Sequence, residues 1–506
     1  MNLDIKKFRS VVSKSVVSGK KVIIPLYDEI IVDSETPVSV FLKLAVREKF
    51  AYLLESAETN IQWGRYSFIS IDPYIIFVAK NGNIEIKINN IARKFKGETF
   101  KHLRSLINSL VIPKEVCLWR NLPRFFGGFV GYFGYENVHL VESTVPRPKV
   151  DNFRDIPDVY LMFNRTVLIF DHYLNKLKIL RLVTIDDKRT VDKLYLEEVS
   201  AIEKIKQVIR TTVALTQEIN FTFSQADVDD YSCNISKEQF LKKLRYAKEY
   251  IHNGDVIQVV LSRRLYKRTI AEPFNIYRAL RIINPSPYMF YLKFDNMSLI
   301  GSSPEILVRK EVDVVETRPI AGTRPRGSSE EQDSQYERQL LNSKKENAEH
   351  IMLVDLARND IGRISKFGTI TLPQLRIIEK YSHVMHLVSS VKGILSKNKD
   401  SIDVLSSCFP AGTVSGAPKV RAMQIISELE GETRGPYAGA VGYFSLAGNM
   451  DMAITIRTIL YKNGWVYIQT GAGVVADSNP EKEFQETVNK AKALILAVKV
   501  AESVKG

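Results

Sequence analysis

Residues 468–494, IQTGAGVVADSNPEKEFQETVNKAKAL, constrain the fold more than any other stretch of the chain. Apolar alternation predicts a strand, Gly471 and Gly473 with only Ala472 between them predict a turn, and a capped helix follows. Asn479 suits an N-cap and Pro480 the first helical position. Glu483, Glu486 and Lys490 then fall on one helix face. Glycines at a turn let backbone N–H groups approach an anion. Two carboxylates and an ammonium beside them suit a divalent cation and an anionic ligand. Read alone, such a face is more often a solvated surface with a Glu→Lys i,i+4 pair.

At 506 residues the chain has room for two domains, or one two-lobed unit, with a full core. Hydrophobic residues at 45% and charged residues at 25% are ordinary for a soluble globular protein. No apolar run reaches the roughly 18–20 residues of a membrane span. The first residues lack the apolar core of a signal peptide; they are basic and serine-bearing, but Asp4 and a strand pattern from Lys21 argue against a transit peptide. Cys117, Cys233 and Cys408 are scattered, lack metal-ligand spacing and imply no disulfide framework. A reducing compartment, the cytoplasm, is the expectation. The net charge of +14 raises nucleic acid as a partner. The lysines are spread along the chain without blocks, so the charge reads as a surface favourable to anionic small molecules. Neither nucleic acid nor membrane is expected as a partner.

Residues 1–225 read as a strand-rich domain and 226–506 as a second domain, with the polar stretch Phe221–Asn234 as the linker between them. In the first half, Lys21–Ile24, Phe50–Leu54, Tyr66–Ile71, Tyr74–Lys80 and Ile84–Asn89 are predicted strands. The glycines and aromatics of Phe125–Val138 suit a helix or turn packed on a sheet. In the second half, Ser236–Asn253, Phe274–Ile283, Ser334–Asn359 and Lys419–Glu430 are predicted helices. Three consecutive strands lead into the last helix. The expected class is α+β: two interlocked lobes whose mixed, largely antiparallel sheets form a central sandwich with helices outside.

Four further features carry chemistry. SKKENAEHIMLVDLARND places Glu346 and Glu349 one turn apart on a helix with a long apolar face. Carboxylates at the end of a buried helix need cations or a metal. With Glu483 and Glu486 they would form an oxygen-only site, favouring Mg²⁺ over zinc; ordinary ion pairs with Lys344, Lys345 and Lys490 are the alternative. FPAGTVSGAPKVRA is a small-residue loop feeding a helix, with Thr413, Ser415 and Lys419 suited to an anion, and it is not a Walker A loop. RPIAGTRPRG is Gly/Pro-rich and basic, with Gly322-Thr323 at an expected turn. His383 and His386 stand three apart in YSHVMHL, Glu305 follows a proline at a strand edge, and Arg457 sits within a predicted strand. An inward arginine there needs an acidic ligand.

The ordered blocks QVVLSRR, NPSPYMF, SSPE, RPIAGTRPRG, AEHIMLVDLARND, VMHL, FPAGTVSGAPK, IRT and GAGVVADSNPEKEFQET resemble the chorismate-utilising enzymes. Within them the chain is similar to the large, component I subunits of the anthranilate synthases, from about Leu53 to the last helix. Two positions separate this chain from other branches. Isochorismate- and salicylate-forming relatives carry a water-activating lysine where Gln258 stands, and aminodeoxychorismate synthases typically carry a lysine nucleophile where Ala321 stands. With neither lysine, the resemblance implies that the nucleophile comes from outside, as ammonia.

The resemblance implies a lyase that aminates chorismate and eliminates pyruvate to give anthranilate, opening tryptophan biosynthesis. It implies Mg²⁺ on Glu349 and Glu486, supported by Glu346 and Glu483. It implies substrate contacts at Gly322, Thr323, Tyr437, Arg457, Gly471, Ala472, Gly473 and Lys490. Glu305, His386, Thr413 and Gln258 take catalytic positions. Glu305 would protonate the leaving hydroxyl, which requires a raised pKa, expected from a crowded acidic site. LLES with Pro287, Tyr288 and Met289 resembles the tryptophan-inhibitor pocket, with Glu55 and Ser56 among its residues; a plain strand end is the alternative. The sequence has no glutaminase elbow, so a separate glutamine amidotransferase subunit is the implied partner.

Overall fold

Alternating segments from the whole length of the chain pair into one connected strand system. The computed structural model is described for residues 1–15, 20–57, 64–113, 116, 122–185, 191–211, 228–381 and 384–504. Cys117, His383 and the expected boundary at 225/226 lie outside the described residues.

In the first half, Lys21–Ile31 runs antiparallel to Lys176–Ile185, which pairs with Val159–Asp171. Val159–Asp171 in turn takes Tyr66–Lys80 on one edge and Gly128–Phe133 on the other. In the second half, Met297–Ser303, Thr458–Lys462, Trp465–Val474 and Gln258–Arg268 follow one another as antiparallel neighbours. A second run joins Ala440–Ser445, Met450–Ile454, Ile306–Glu311, Val314–Thr317 and Val384–Ile394. The halves share strands twice: Phe50–Glu55 pairs with Tyr288–Phe294, and Gly128–Phe133 pairs with Ala440–Ser445.

Strands buried on both faces divide two cores. In Tyr288–Phe294, Phe290, Leu292 and Phe294 enter one cluster with Phe129, Phe163 and Val441, whereas Met289 and Tyr291 enter the other. That second cluster lies beneath helices: Phe41 of Pro37–Leu44, Ile202 of Val191–Arg210, Tyr277 and Leu280 of Pro273–Ile283, and Leu494 and Val498 of Pro480–Glu502. This is the expected α+β class, a largely antiparallel sandwich with helices outside. No helix among the described residues is long and apolar enough to cross a membrane.

The cap expected at Asn479 is in place. Asn479 accepts from the backbone N–H groups of Glu481 and Lys482, Pro480 opens the helix, and Gly254 ends Lys237–His252 at φ 82°.

Other expectations are corrected. Gly471 and Gly473 are not at a turn but inside the strand Trp465–Val474, opposite Ser262 and Val260. The expected turn at Gly322-Thr323 is a bulge within Ile320–Pro325, with Gly322 at φ 59°. Phe125–Val138 contains the buried strand Gly128–Phe133, where a Cβ on Gly131 would meet Tyr160 O at 1.9 Å. The predicted helix over 334–359 is two helices, Glu330–Asn342 and Lys344–Gly362; Ser343 turns extended between them and caps the second through its side chain. Arg457 is not inside a strand: it sits at φ 50°, in the break between Met450–Ile454 and Thr458–Lys462.

Candidate active site

The glycine strand Trp465–Val474 delivers the chain directly into the closing helix Pro480–Glu502. Strand alternation points Gly471 and Gly473 to one face and Ala472 to the other. A Cβ on Gly471 would meet Tyr437 Oη at 2.6 Å, and one on Gly473 would meet Gln258 Nε2 at 2.6 Å. The two glycines therefore admit those side chains to a cavity of about 520 Å³. Ala472 is fully buried and is not among the cavity's lining residues, which leaves only its backbone for the expected contact.

Every other residue expected at the catalytic, substrate or metal positions lines this one cavity. Helix Lys344–Gly362 brings Glu346 and Glu349, and the closing helix brings Glu483, Glu486 and Lys490. The bulge brings Gly322 and Thr323, the paired strand Val384–Ile394 brings His386, and the turn Gly412–Val414 brings Thr413. Glu305, Gln258, Ala321, Tyr437 and Arg457 complete the lining named from sequence.

Glu305 follows Pro304 between Met297–Ser303 and Ile306–Glu311, and its backbone carbonyl accepts from Ile454 N at 3.0 Å. The side chain faces the cavity but is otherwise enclosed, and burial pushes its pKa up to about 7. The Thr413 hydroxyl beside it, short of a well-aligned hydrogen bond, and the Lys490 ammonium pull the other way. The cause differs from the expected one: enclosure, not neighbouring acids, keeps the proton on Glu305.

His386 Nδ1 lies 3.2 Å from Gly322 O and 3.0 Å from Thr323 Oγ1. A carbonyl only accepts, so Nδ1 carries the proton and Nε2 keeps its lone pair. Burial lowers the pKa of His386, so the ring is a neutral base at pH 7.

Lys490 Nζ bridges Glu486 Oε1 at 2.5 Å and Gly471 O at 2.9 Å. Arg457 Nη1 donates to Lys490 O at 2.8 Å, and burial lowers the arginine's pKa against the pull of Glu486. A desolvated arginine in a cavity wall favours an anionic ligand.

The four expected metal ligands all line the cavity but do not converge. Glu486 is held by Lys490 and Glu346 by Arg324 at 3.4 Å. Among the described residues no three His, Cys, Asp or Glu side chains form a metal-holding group. The donor chemistry nevertheless fits a hard dication. Burial and then Glu346 raise the pKa of Glu349, with Glu486 adding to it, and burial and Glu486 raise that of Glu483. A bound dication would relieve that repulsion, and all four donors are oxygens.

A second cavity, about 370 Å³, contains all five inhibitor-site candidates, Glu55, Ser56, Pro287, Tyr288 and Met289. The pairing of Met289 with Glu55 brings them together. The Glu55 carboxylate is already held, by Tyr277 Oη and by Arg281 Nε at 3.2 Å. The polar wall includes two residues that sequence reasoning missed, Asp451 and Arg309: Tyr288 Oη donates to Asp451 at 3.0 Å, and Arg309 Nε reaches the other Asp451 oxygen at 2.9 Å. Gln469 and Ser478 were likewise missed in the larger cavity, and Lys345 was named only as a partner for its carboxylates. Nothing local marks them; they arrive through helix phase and strand register.

The family described as chorismate binding enzyme matches residues 51–496. The chain belongs to this family of chorismate-binding enzymes. Within it, the chain falls in the branch of the anthranilate synthase component I proteins. The Aquifex aeolicus (strain VF5) anthranilate synthase component 1 is 48% identical over 512 residues, covering 99% of each chain. The Acetivibrio thermocellus one is 46% identical over 486 residues, covering 96% of this chain and 97% of its own. The crystal structure of anthranilate synthase component I from Streptococcus pneumoniae TIGR4 superposes with a TM-score of 0.75 at 34% identity, covering 92% of this chain and 99% of that one. The menaquinone-specific isochorismate synthase of Escherichia coli, at 18% identity and a TM-score of 0.68, shares the fold. The expectation of an enzyme, a lyase of this branch, stands.

Proposed function

We propose that this chain aminates chorismate with ammonia and eliminates pyruvate to give anthranilate, the first step of tryptophan biosynthesis. The observation that carries the reading is a single cavity lined by an enclosed carboxylic acid, a neutral histidine and a desolvated arginine, with Gln258 and Ala321 where other branches carry lysine.

Arg457, Tyr437 and the Gly471–Gly473 backbone take the enolpyruvyl carboxylate. Thr413 orients the ring carboxylate. Glu349 and Glu486, with Glu346 and Glu483 behind them, would hold Mg²⁺, which supplies Lewis-acid polarisation of that carboxylate when bound. Ammonia forms a bond to C2 while the C4–O bond breaks, and Glu305 gives its proton to the departing hydroxyl, releasing water. Gln258, which cannot deprotonate water as a lysine would, leaves ammonia as the nucleophile. Removal of the C2 proton, assisted by His386 Nε2, then breaks the C3–O bond; pyruvate leaves and the ring becomes aromatic. Lys490 balances the carboxylates, and Gly322 and Thr323 fix the His386 ring.

The proposal extends to three finer points. Glutamine-derived ammonia comes from a separate amidotransferase subunit; tryptophan inhibits by occupying the second cavity; and the protein works in the cytoplasm. Residues 1–225 form the domain carrying Glu55 and Ser56, and residues 226–506 form the catalytic domain.

The test is purified protein with chorismate, Mg²⁺ and ammonium, followed by anthranilate fluorescence and a coupled pyruvate assay. Both products in equal amounts are expected. An amino product without pyruvate, or no consumption of chorismate at any ammonium concentration, would overturn the reading.

A further inference from the structure

One wall of the catalytic cavity is held from behind by a residue that does not line it. Arg434 is 1% exposed and lies beneath Gln258–Arg268 and the Gly412–Val414 turn. It donates from Nε and Nη2 to the two oxygens of Glu430 at 2.8 and 2.6 Å. It also donates from Nη1 to Val414 O at 2.9 Å and from Nη2 to Val260 O at 2.8 Å. Its guanidinium stacks over Tyr135 at 4.6 Å and lies 5.7 Å from the Tyr437 ring.

The network continues to the cavity. Glu430 Oε1 accepts from Ser262 N at 2.7 Å and from Ser262 Oγ at 3.0 Å. An ionised carboxylate cannot donate, so the Ser262 hydroxyl proton is committed to Glu430. Ser262 Oγ must then accept from Gln469 Nε2, 2.8 Å away. That fixes which end of the Gln469 amide is its oxygen; this oxygen is buried and finds no hydrogen-bond donor among the described residues, and Gln469 lines the cavity.

A buried ion pair is weak evidence for stability by itself. Here its remaining donors go to two carbonyls, Val260 and Val414, and both residues line the cavity. We propose that Arg434 is a positioning residue that, through Glu430 and Ser262, sets the register of the Val260 strand, the Thr413–Val414 turn and Gln469 for chorismate. Lysine cannot substitute, because one ammonium cannot chelate a carboxylate and reach both carbonyls with the geometry of a planar fork.

The inference rests on the chorismate reading, and the two can fail separately. Wild-type turnover in the chorismate–Mg²⁺–ammonium assay tests the reading; variants in the same assay test the positioning. Arg434→Lys is expected to lower kcat/KM for chorismate by about 10–100-fold. Its Mg²⁺ concentration for half-maximal activity should move less than about twofold, since none of the network's hydrogen bonds ends on Glu346, Glu349, Glu483 or Glu486. Ser262→Ala keeps the ion pair and the backbone bond from Ser262 N but removes the hydroxyl that links Glu430 to Gln469, so it remains informative if Arg434→Lys does not fold. It is expected to raise the chorismate KM by about 3–10-fold, with Tm shifted by roughly 2 °C or less. A merely structural role would lower the folded fraction and Tm and leave the KM unchanged. An unchanged KM in Ser262→Ala with an active wild type overturns the proposal.

Discussion

Glu305 decides how the protein answers to pH. Its folded pKa lies above the ordinary value of 4.5, at about 7, because burial penalises the charged form. The neutral form therefore contributes stability that is fully present below the unfolded pKa and is lost as pH rises through about 7. Glu305→Gln, neutral throughout, should be more stable than the parent by about 1–3 kcal/mol at pH 8.5. The difference should vanish near pH 4, and urea unfolding at the two pH values measures it. The same proton makes the parent's kcat fall as pH rises past about 7, whereas the variant is inactive throughout. A parent that loses no activity between pH 7 and 9 would remove Glu305 as the acid. His386→Ala should slow pyruvate release by about 10²–10⁴-fold while chorismate is still consumed, so that an amino intermediate accumulates and is visible by chromatography. Loss of chorismate consumption itself would give His386 an earlier role. The identities of these residues were legible in the sequence from the motifs that carry the resemblance. The reason for the Glu305 shift was not, because enclosure is produced by distant segments and leaves no local mark.

At the scale of elements, the glycine strand and the closing helix work as a pair. Glu486 is 47% exposed on that helix, so Glu486→Gln should leave Tm within roughly 2 °C of the parent. Mg²⁺-dependent turnover should be abolished. Unchanged ammonium-dependent activity would defeat the metal assignment. On the strand, Gly473→Ala directs a methyl at Gln258 Nε2, 2.6 Å away, and should displace that amide. A tenfold or greater fall in kcat/KM is expected, about 1.4 kcal/mol or more of lost transition-state stabilisation, measured by steady-state kinetics. The helix was legible because Asn479, Pro480 and the acidic first turn are local signals. The glycine turn was misread because GAG looks the same whether the residues need positive φ or need to omit a side chain. Opposite Ser262 and Val260 the need is space, which only the partner strand reveals. Ser343 hid the helix break in the same way: as an N-cap it reads as an ordinary helical serine until its extended backbone is seen.

Across the whole molecule, the second cavity lies where the two halves exchange strands. Phe50–Glu55 carries Glu55, Tyr288–Phe294 carries Tyr288 and Met289, and their pairing makes the cavity a joint product of both halves. Ser56→Leu should weaken tryptophan inhibition by about tenfold, some 1.4 kcal/mol, with kcat and the chorismate KM unchanged. Equal inhibition of variant and parent would move the inhibitor elsewhere. The α+β class and the antiparallel bias were legible from strand alternation. The Tyr288–Asp451–Arg309 network was not, since it joins residues 163 positions apart.

The shared strands have a consequence for the integrity of the polypeptide. Phe50–Glu55 bonds on one side to Tyr66–Lys80 and on the other to Tyr288–Phe294, so a fragment holding only the first half would bare a hydrogen-bonding edge flanked by Leu53 and Leu54. Gly128–Phe133 would bare another where Ala440–Ser445 belongs. Open apolar edges recruit other chains and aggregate. Each half made alone is thus expected to precipitate, whereas the two halves produced together in one cell can satisfy each other's edges and reassemble from two polypeptides.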